Sequence, residues 1–237
     1  MKNNMSAQGG SASGGKIFCV IPAYNEEKTI VRIINEVKPY VDEVVVVDDG
    51  SLDQTYNLAK MQGAAVLRHI INRGQGAALK TGTEYGLNNG ADIIVHFDAD
   101  GQFLAGDISN MVKPLKTGDA EAVFGSRFLK GGGVNSPMPF FKKNIIMPLA
   151  KLANKIFLGI EMTDPQSGFR AMSACAAGKI SWQQDRMAHC SEILFEAARA
   201  GLKIKEVPIT IIYNHFGQRF SGGLKILKDL FLARLIN

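Results

Sequence analysis

Two carboxylates two residues apart, Asp98 and Asp100, close the apolar run from Ile93 to Phe97 in the stretch IIVHFDADGQF. They repel each other, and burying either without a partner costs several kcal/mol, on the order of ~3–5. The pair therefore sits either on a solvated turn or around a cation. Oxygen ligands at a strand end, with no lysine between them, suit a hard divalent ion such as Mg2+ or Mn2+, which keeps coordination positions for phosphate oxygens. An ion held in that way stabilises a departing diphosphate.

Other polar groups fall at comparable places. Asp48 and Asp49 close the run EVVVV, where a carboxylate can accept from a ribose hydroxyl or a base N–H, while Ser51 or Asp53 caps the following helix. Arg127, Arg219 and Lys225 stand in Gly- and Ser-rich surroundings suited to anionic oxygens, although each alone reads more readily as a surface charge. The turn Gly74-Gln75-Gly76 opens a helix but is no dinucleotide fingerprint: Leu79 stands where a third glycine belongs, and the turn follows the third strand. It reads as a tight turn near a nucleotide donor. His69, His96, His189 and His215 lack metal-ligand spacing, and His96 is expected to be a hydrogen-bonded core residue of its strand. The three cysteines, Cys19, Cys175 and Cys190, form no C-x-x-C pair and read as reduced thiols.

The elements that position these groups alternate. Strands are expected over Lys16–Ile21, Glu43–Val47, Ala64–Arg68, Ile93–Phe97 and Ala120–Phe124. Helices are expected from Glu26 to Lys38, Asp53 to Met61, the Gly74–Gly76 turn to Asn89, and Gly106 to Lys116. This order implies an α/β fold with a mostly parallel sheet covered on both faces, which binds ligands outside the carboxyl ends of its strands. Tyr24-Asn25-Glu26, Asp48-Asp49, Asp98-Asp100 and Ser126-Arg127 all fall on that rim. Beyond it, DPQSGFRAMS feeds a short strand, a helix runs from His189 to Ala200, and LKIKEVPITIIYN reads as a strand whose Pro208 favours an edge or bulge.

With 237 residues, 46% hydrophobic and 21% charged, the chain needs no disulfide or structural metal to fold. Residues 1–15 read as a disordered tail, and 16–237 as one domain, with 16–127 its nucleotide half and 128–237 its acceptor half. The net charge of +5 weakly suggests an anionic partner. Between Arg127 and Ile160 lie Arg127, Lys130, Lys142, Lys143, Lys151 and Lys155 and no acid, within an apolar stretch that suits either an anionic membrane surface or a core-facing helix with solvated lysines. A second basic amphipathic helix, LKILKDLFLARLIN, presents an apolar face to a second copy of the chain or to a bilayer. No run approaches the ~20 apolar residues of a membrane span. The expected location is cytoplasmic and peripheral to the membrane, with no nucleic-acid partner.

Taken in order, VIPAYNEE (20–27), VVVDDGSLDQT (45–55), NRGQGAALKTG (72–82), DADGQ (98–102), GSRF (125–128), DPQSGFRAMS (164–173) and EVP (206–208) resemble the family 2 glycosyltransferases of GT-A fold. The nearest branch in pattern is that of dolichol-phosphate mannose synthase and its bacterial polyprenyl-phosphate relatives. The resemblance implies that Pro22, Tyr24, Glu26 and Asp49 hold the nucleoside of a GDP- or UDP-sugar. It further implies that Asp98, Asp100 and Gln102 hold the divalent metal, with Asp100 catalytic. Arg127 would meet phosphate, and Arg219 and Lys225 would clamp it with their R-x-x-x-x-x-K spacing. The family inverts the anomeric centre.

Three departures stand out. The chain shows no C-terminal membrane span, and Gly222-Gly223-Leu224 replaces a more polar segment before the lysine. Where relatives acting on sugar hydroxyls carry an acidic pair, His189-Cys190-Ser191-Glu192 has one acid. A hydroxyl needs a positioned base, which would be Glu192, whereas a phosphate monoester with a second pKa near ~6 is already largely a dianion. A polyprenyl phosphate acceptor is therefore expected. A saccharide hydroxyl is the alternative, and a nucleotidyltransferase or a non-catalytic sugar-nucleotide binder fits less well.

Overall fold

A computed structural model describes residues 15–134 and 162–212. The polar tail up to residue 14, the basic apolar stretch over 135–161, the C-terminal amphipathic helix, Arg219 and Lys225 lie outside them.

The first half alternates as its periodicity requires. Strands Ile17–Ala23 (β1), Glu43–Asp48 (β2), Ala65–Arg68 (β3), Ile93–His96 (β4) and Ala122–Ser126 (β5) are interleaved with helices Ile30–Val37 (α1), Thr55–Met61 (α2), Gln75–Asn88 (α3) and Asp107–Lys116 (α4). After Gly133–Val134 (β6) come Arg170–Ser173 (β7), helices Ala174–Lys179 (α5) and His189–Arg199 (α6), then Ile204–Pro208 (β8) and Thr210–Ile211 (β9). The main sheet runs β3-β2-β1-β4-β7-β5-β8, and β6 pairs with β9 in a separate two-stranded ribbon.

The sheet is mostly parallel, but β7 runs antiparallel to both β4 and β5. Two reversals restore direction, so the carboxyl ends of β1, β2, β4 and β5 share one rim. Both faces are covered. Along β1, Ile17, Cys19 and Ile21 belong to one apolar cluster with Ile30, Ile33 and Ile34 of α1, while Phe18 and Val20 belong to another with Ala78 and Leu79 of α3. This period-two split explains why the strand reads as a continuous hydrophobic run. Helix α3 lies close against the second face because Gly82 and Gly86 are one turn apart; a Cβ there would approach Val20 Cγ1 to 2.3 Å and Ile94 Cδ1 to 2.5 Å.

Several boundaries move for identifiable reasons. Helix α1 begins at Ile30 rather than Glu26, because the amides of residues 25–27 are bonded elsewhere. A 3-10 turn, Lys38–Tyr40, carries Pro39 and ends it. Strand β8 lies at the sheet edge and stops at Pro208, so the long expected strand divides between the two sheets. Helix α5 was not expected; Ser173 caps it by accepting from Ala176 N at 3.2 Å.

Candidate functional site

On the rim, the loops after β1 and β2 are laced together by side chains that satisfy backbone donors. Asn25 N donates to Ser51 Oγ at 2.9 Å, Glu26 N to Thr55 Oγ1 at 2.8 Å and Glu27 N to Asp53 Oδ2 at 3.1 Å. In return Leu52 N donates to Asn25 Oδ1 at 3.0 Å and Gln54 N to Glu27 Oε2 at 3.2 Å. Asn25 takes φ +56°, a left-handed turn that asparagine tolerates. Ser51 thus serves the neighbouring loop rather than its own helix, while Asp53 also accepts from Thr55 N at 2.9 Å, at the start of α2.

The candidate nucleoside residues occupy unlike positions. Tyr24 is 44% exposed at the rim, whereas Pro22 is buried inside β1, opposite Val47. Glu26 is half-buried and accepts from Thr29 Oγ1 at 2.7 Å; burial, then the charges of Asp100 and Asp53, act to raise its pKa. Asp49 is buried and accepts three bonds, from His69 Nδ1 at 2.7 Å, Arg73 N at 3.0 Å and Gly74 N at 2.7 Å. His69 in turn meets Thr81 Oγ1 through Nε2 at 3.0 Å. Asp49 therefore anchors the glycine-rich loop, and His69, which carries no metal spacing, belongs to its frame.

Asp98 and Asp100 lie just beyond β4, both with part of their surface open. Gln75 Nε2 donates to Asp98 Oδ1 at 2.7 Å, and Gly168 packs so closely that a Cβ would come within 2.7 Å of Oδ2. Removal from water, and secondarily the Asp100 charge, push Asp98 up to about 7, against the pull of Arg170 and His189. Asp100 is also raised by burial, with the Gln102 amide, donating at 3.0 Å, opposing that shift. Gln102 is half-buried, and its carbonyl accepts from Ile212 N at 2.9 Å. Two adjacent carboxylates, one raised by the other, form an all-oxygen donor set whose repulsion a hard divalent cation would relieve, so the residues fit such an ion. Among the described residues no three His, Cys, Asp or Glu side chains form a metal-binding group.

A buried polar layer backs these carboxylates. Arg170 is wholly buried opposite His96 in the β4–β7 register, and its three guanidinium nitrogens have no hydrogen-bond partner among the described residues. Phe124 lies under it at 6.0 Å. His96, bonded to Thr83 Oγ1 at 2.9 Å, is the core histidine expected, and burial holds it well below its usual pKa.

Arg127 follows β5 and grips Asp164 with Nε at 2.6 Å and Nη2 at 2.7 Å, its own amide adding a bond at 3.2 Å. The next link is Glu206 of the EVP segment, which accepts from Thr163 N at 2.9 Å and Asp164 N at 3.0 Å. Glu192, on the first turn of α6, has both oxygens engaged: Gln183 N donates to Oε1 at 2.9 Å and Gln184 N to Oε2 at 2.8 Å. That loop seats on the glycine turn, with Asp185 O accepting from Gly76 N at 2.8 Å and Trp182 Nε1 donating to Gly76 O at 3.0 Å. A Cβ at Gly74 would lie 2.3 Å from Asp185 O and one at Gly76 2.2 Å from Gln184 O. The glycines of the turn are thus explained by a neighbouring backbone. The sequence assigns no role to Gln75, Trp182 or Arg170; the one sign of Gln75 in it is its place between two glycines.

A mostly parallel sheet with acidic strand ends on one rim defines an α/β class of fold with its candidate site at the carboxyl ends of the strands. The sequence model of glycosyl transferase family 2 matches residues 18–180. A UDP-N-acetylglucosamine–dolichyl-phosphate N-acetylglucosaminyltransferase of Methanococcus voltae is 35% identical over 92% of this chain and 96% of its own. An undecaprenyl-phosphate mannosyltransferase of Micrococcus luteus is 31% identical over 88% and 89%. The crystal structure of glucosyl-3-phosphoglycerate synthase from Mycobacterium tuberculosis with Mn2+, UDP and phosphoglyceric acid superposes with a TM-score of 0.71 at 22% identity, covering 94% of this chain and 78% of that one. The chain belongs to glycosyl transferase family 2 and is a glycosyltransferase of GT-A fold. Among the described residues no helix is long and apolar enough to cross a membrane.

Proposed function

We propose that this transferase moves a sugar from a GDP- or UDP-sugar to a polyprenyl phosphate, inverting the anomeric centre, at a membrane surface. The observation that carries the choice of acceptor is the engagement of Glu192: both of its oxygens accept backbone N–H groups, so it is poorly placed to take a proton from a sugar hydroxyl. A phosphate acceptor needs no such base. The relatives named above, which act on dolichyl and undecaprenyl phosphates, support the same reading.

In this reading residues 16–127 hold the donor and 128–237 admit the acceptor. Pro22, Tyr24, Glu26 and Asp49 frame the nucleoside, with Asp49 acting by fixing the loop around Arg73 and Gly74. Asp98 and Asp100, with Gln102 beside them, would hold a divalent cation, as the Mn2+ in the structural neighbour supports. When bound, that ion supplies charge neutralisation at the diphosphate. Arg127, with Arg219 and Lys225, meets phosphate oxygens and draws the acceptor in. An acceptor phosphate oxygen bonds to the anomeric carbon on the face opposite the leaving group while the carbon–oxygen bond to the diphosphate breaks. The electron pair leaves with the nucleoside diphosphate, and an α-linked donor gives a β-linked product.

The test is turnover with a panel of GDP- and UDP-sugars and Mn2+, with and without polyprenyl phosphate. Sugar transfer to the lipid, abolished by chelator, is expected. Transfer to a saccharide hydroxyl in its absence would overturn the acceptor.

A further inference from the structure

We propose that Gln75 and Glu192 are positioning residues that set the Asp98 carboxylate for its cation, acting from two ends of one hydrogen-bonded chain. This rests on the reading that Asp98 and Asp100 hold a divalent ion. The contact at one end is direct: Gln75 Nε2 holds Asp98 Oδ1 at 2.7 Å, while Gly168 crowds Oδ2, so the plane of the carboxylate is fixed from both sides. A metal-ligating carboxylate that is itself hydrogen-bonded loses less freedom on coordination, and removing such an outer partner costs ~10–100-fold in metal affinity.

What fixes Gln75 comes from the far part of the chain. Asp185 O accepts from Gly76 N at 2.8 Å and from Ala77 N at 3.3 Å, gripping the first turn of α3 on which Gln75 stands. Trp182 Nε1 closes the grip on Gly76 O at 3.0 Å. The loop that presents Asp185 is in turn held by Glu192, whose two oxygens take the amides of Gln183 and Gln184. Contact between loop and turn is so close that neither Gly74 nor Gly76 has room for a Cβ. The chain Glu192, loop 183–185, α3 first turn, Gln75, Asp98 therefore has little slack. The one acid near a place where relatives with hydroxyl acceptors carry a base holds the architecture of the cation site.

The experiment uses the full chain and Mn2+ alone as probe, measured by the resonance signal of the free ion, alongside turnover against Mn2+ concentration. Gln75→Ala is expected to weaken Mn2+ by about tenfold, with turnover largely recovered at saturating Mn2+. Glu192→Ala weakens it in the same direction but less. The double variant is no worse than Gln75→Ala, because both act on one oxygen. Glu192→Gln, which keeps one acceptor oxygen but cannot serve as a base, retains most turnover at saturating Mn2+ and an unaltered pH–rate profile. Unchanged Mn2+ affinity in Gln75→Ala, strictly additive losses in the double variant, or abolished turnover in Glu192→Gln at saturating Mn2+ would each overturn the proposal. Should Glu192→Ala fail to fold, Gln75→Ala and Glu192→Gln still decide it. Wild-type protein that binds no Mn2+ would bring down the cation reading and this inference together. Mn2+-dependent wild type with an unaffected Gln75→Ala brings down this inference alone.

Discussion

The rim is framed by two sets of loops, and they are built from different chemistry. Loops 24–29 and 49–55 are joined largely through hydroxyl, amide and solvent-facing carboxylate contacts: Ser51, Thr55 and Asn25 each meet one backbone amide, and Asp53 and Glu27 reciprocate at the surface. Loops 163–168 and 182–186 are held by ion pairs and carboxylates: Arg127 on Asp164, Glu206 beneath it, Glu192 on two amides. Bonds of the first kind contribute about 1 kcal/mol each and fail one at a time. A buried ion pair fails as a unit, because removing either partner leaves an uncompensated charge. The first frame is suited to a ligand met in one geometry, the second to holding loops in place while charged groups pass.

The sharpest way to break this contrast is Arg127→Met. With Arg127 side-chain exposure at 13% and Asp164 at 1%, the variant strands a buried carboxylate. A loss of about 3–5 kcal/mol in chemical denaturation is expected. A loss under about 1 kcal/mol would show that the two frames do not differ in kind. Next in size is Asp100→Ala, at the point where the frames meet. Its carboxylate accepts from Gln102 N, a single local bond, so unfolding should move little while turnover falls by about a hundredfold or more. Wild-type-like turnover in this variant would remove the reason for placing the cation between the frames.

A third effect is set by Asp98. Its folded pKa is pushed up to about 7, above the ordinary carboxylate value of 3.8, so between those values the folded state binds more protons than the unfolded one. Stability without cation should therefore fall as pH rises from about 4 to 7 and then level off. The fall should be about 2 kcal/mol once screening at the open side is allowed for. Mn2+ should raise the melting temperature more at pH 8 than at pH 6, with protons released on binding near pH 6.5, and Asp98→Asn should flatten the slope, leaving the smaller contributions of Asp100 and Glu26. Melting curves that rise through this window would contradict the crowding of the two carboxylates.

How much of this was legible beforehand follows the range of the contacts. The β/α alternation was, because β1, β2 and β4 bury both faces and α1 repeats its apolar residues at helical spacing. The carboxylate pair was, because a strand end places it. The antiparallel sense of β7 was not: residue alternation fixes which face a side chain takes and says nothing of strand direction. Nor was the late start of α1, since the amides of residues 25–27 are captured by side chains more than two dozen positions away. The same applies to Glu192 and Gln75. Each was visible as a residue type, but what it touches is set by loop conformation: the loop before α6 turns its amides back onto Glu192, and the same loop, through Trp182, seats the turn that carries Gln75. Arg170, within the segment read only as feeding a short strand, lies wholly buried at the centre.

The smallest expected effect tests the first frame on its own terms. Ser51→Ala removes the acceptor of Asn25 N, a half-exposed donor that water can reach, so stability should drop by about 1 kcal/mol and the protein should stay folded. Asn25, however, stands in a left-handed turn beside Tyr24, and the bond to Ser51 helps keep it there. If the loop supplies uniform binding of the donor, as proposed, loosening it should raise the KM for the nucleotide sugar by a few fold at nearly constant kcat. Thr55→Val, which strips the acceptor of Glu26 N and the hydroxyl bonded to Asp53, should do the same, and the two together should add, because Ser51 and Thr55 serve different amides and share no partner. A double variant far worse than the sum would mean that this frame, too, fails as a unit, and the contrast between the two sides of the rim would be one of charge alone.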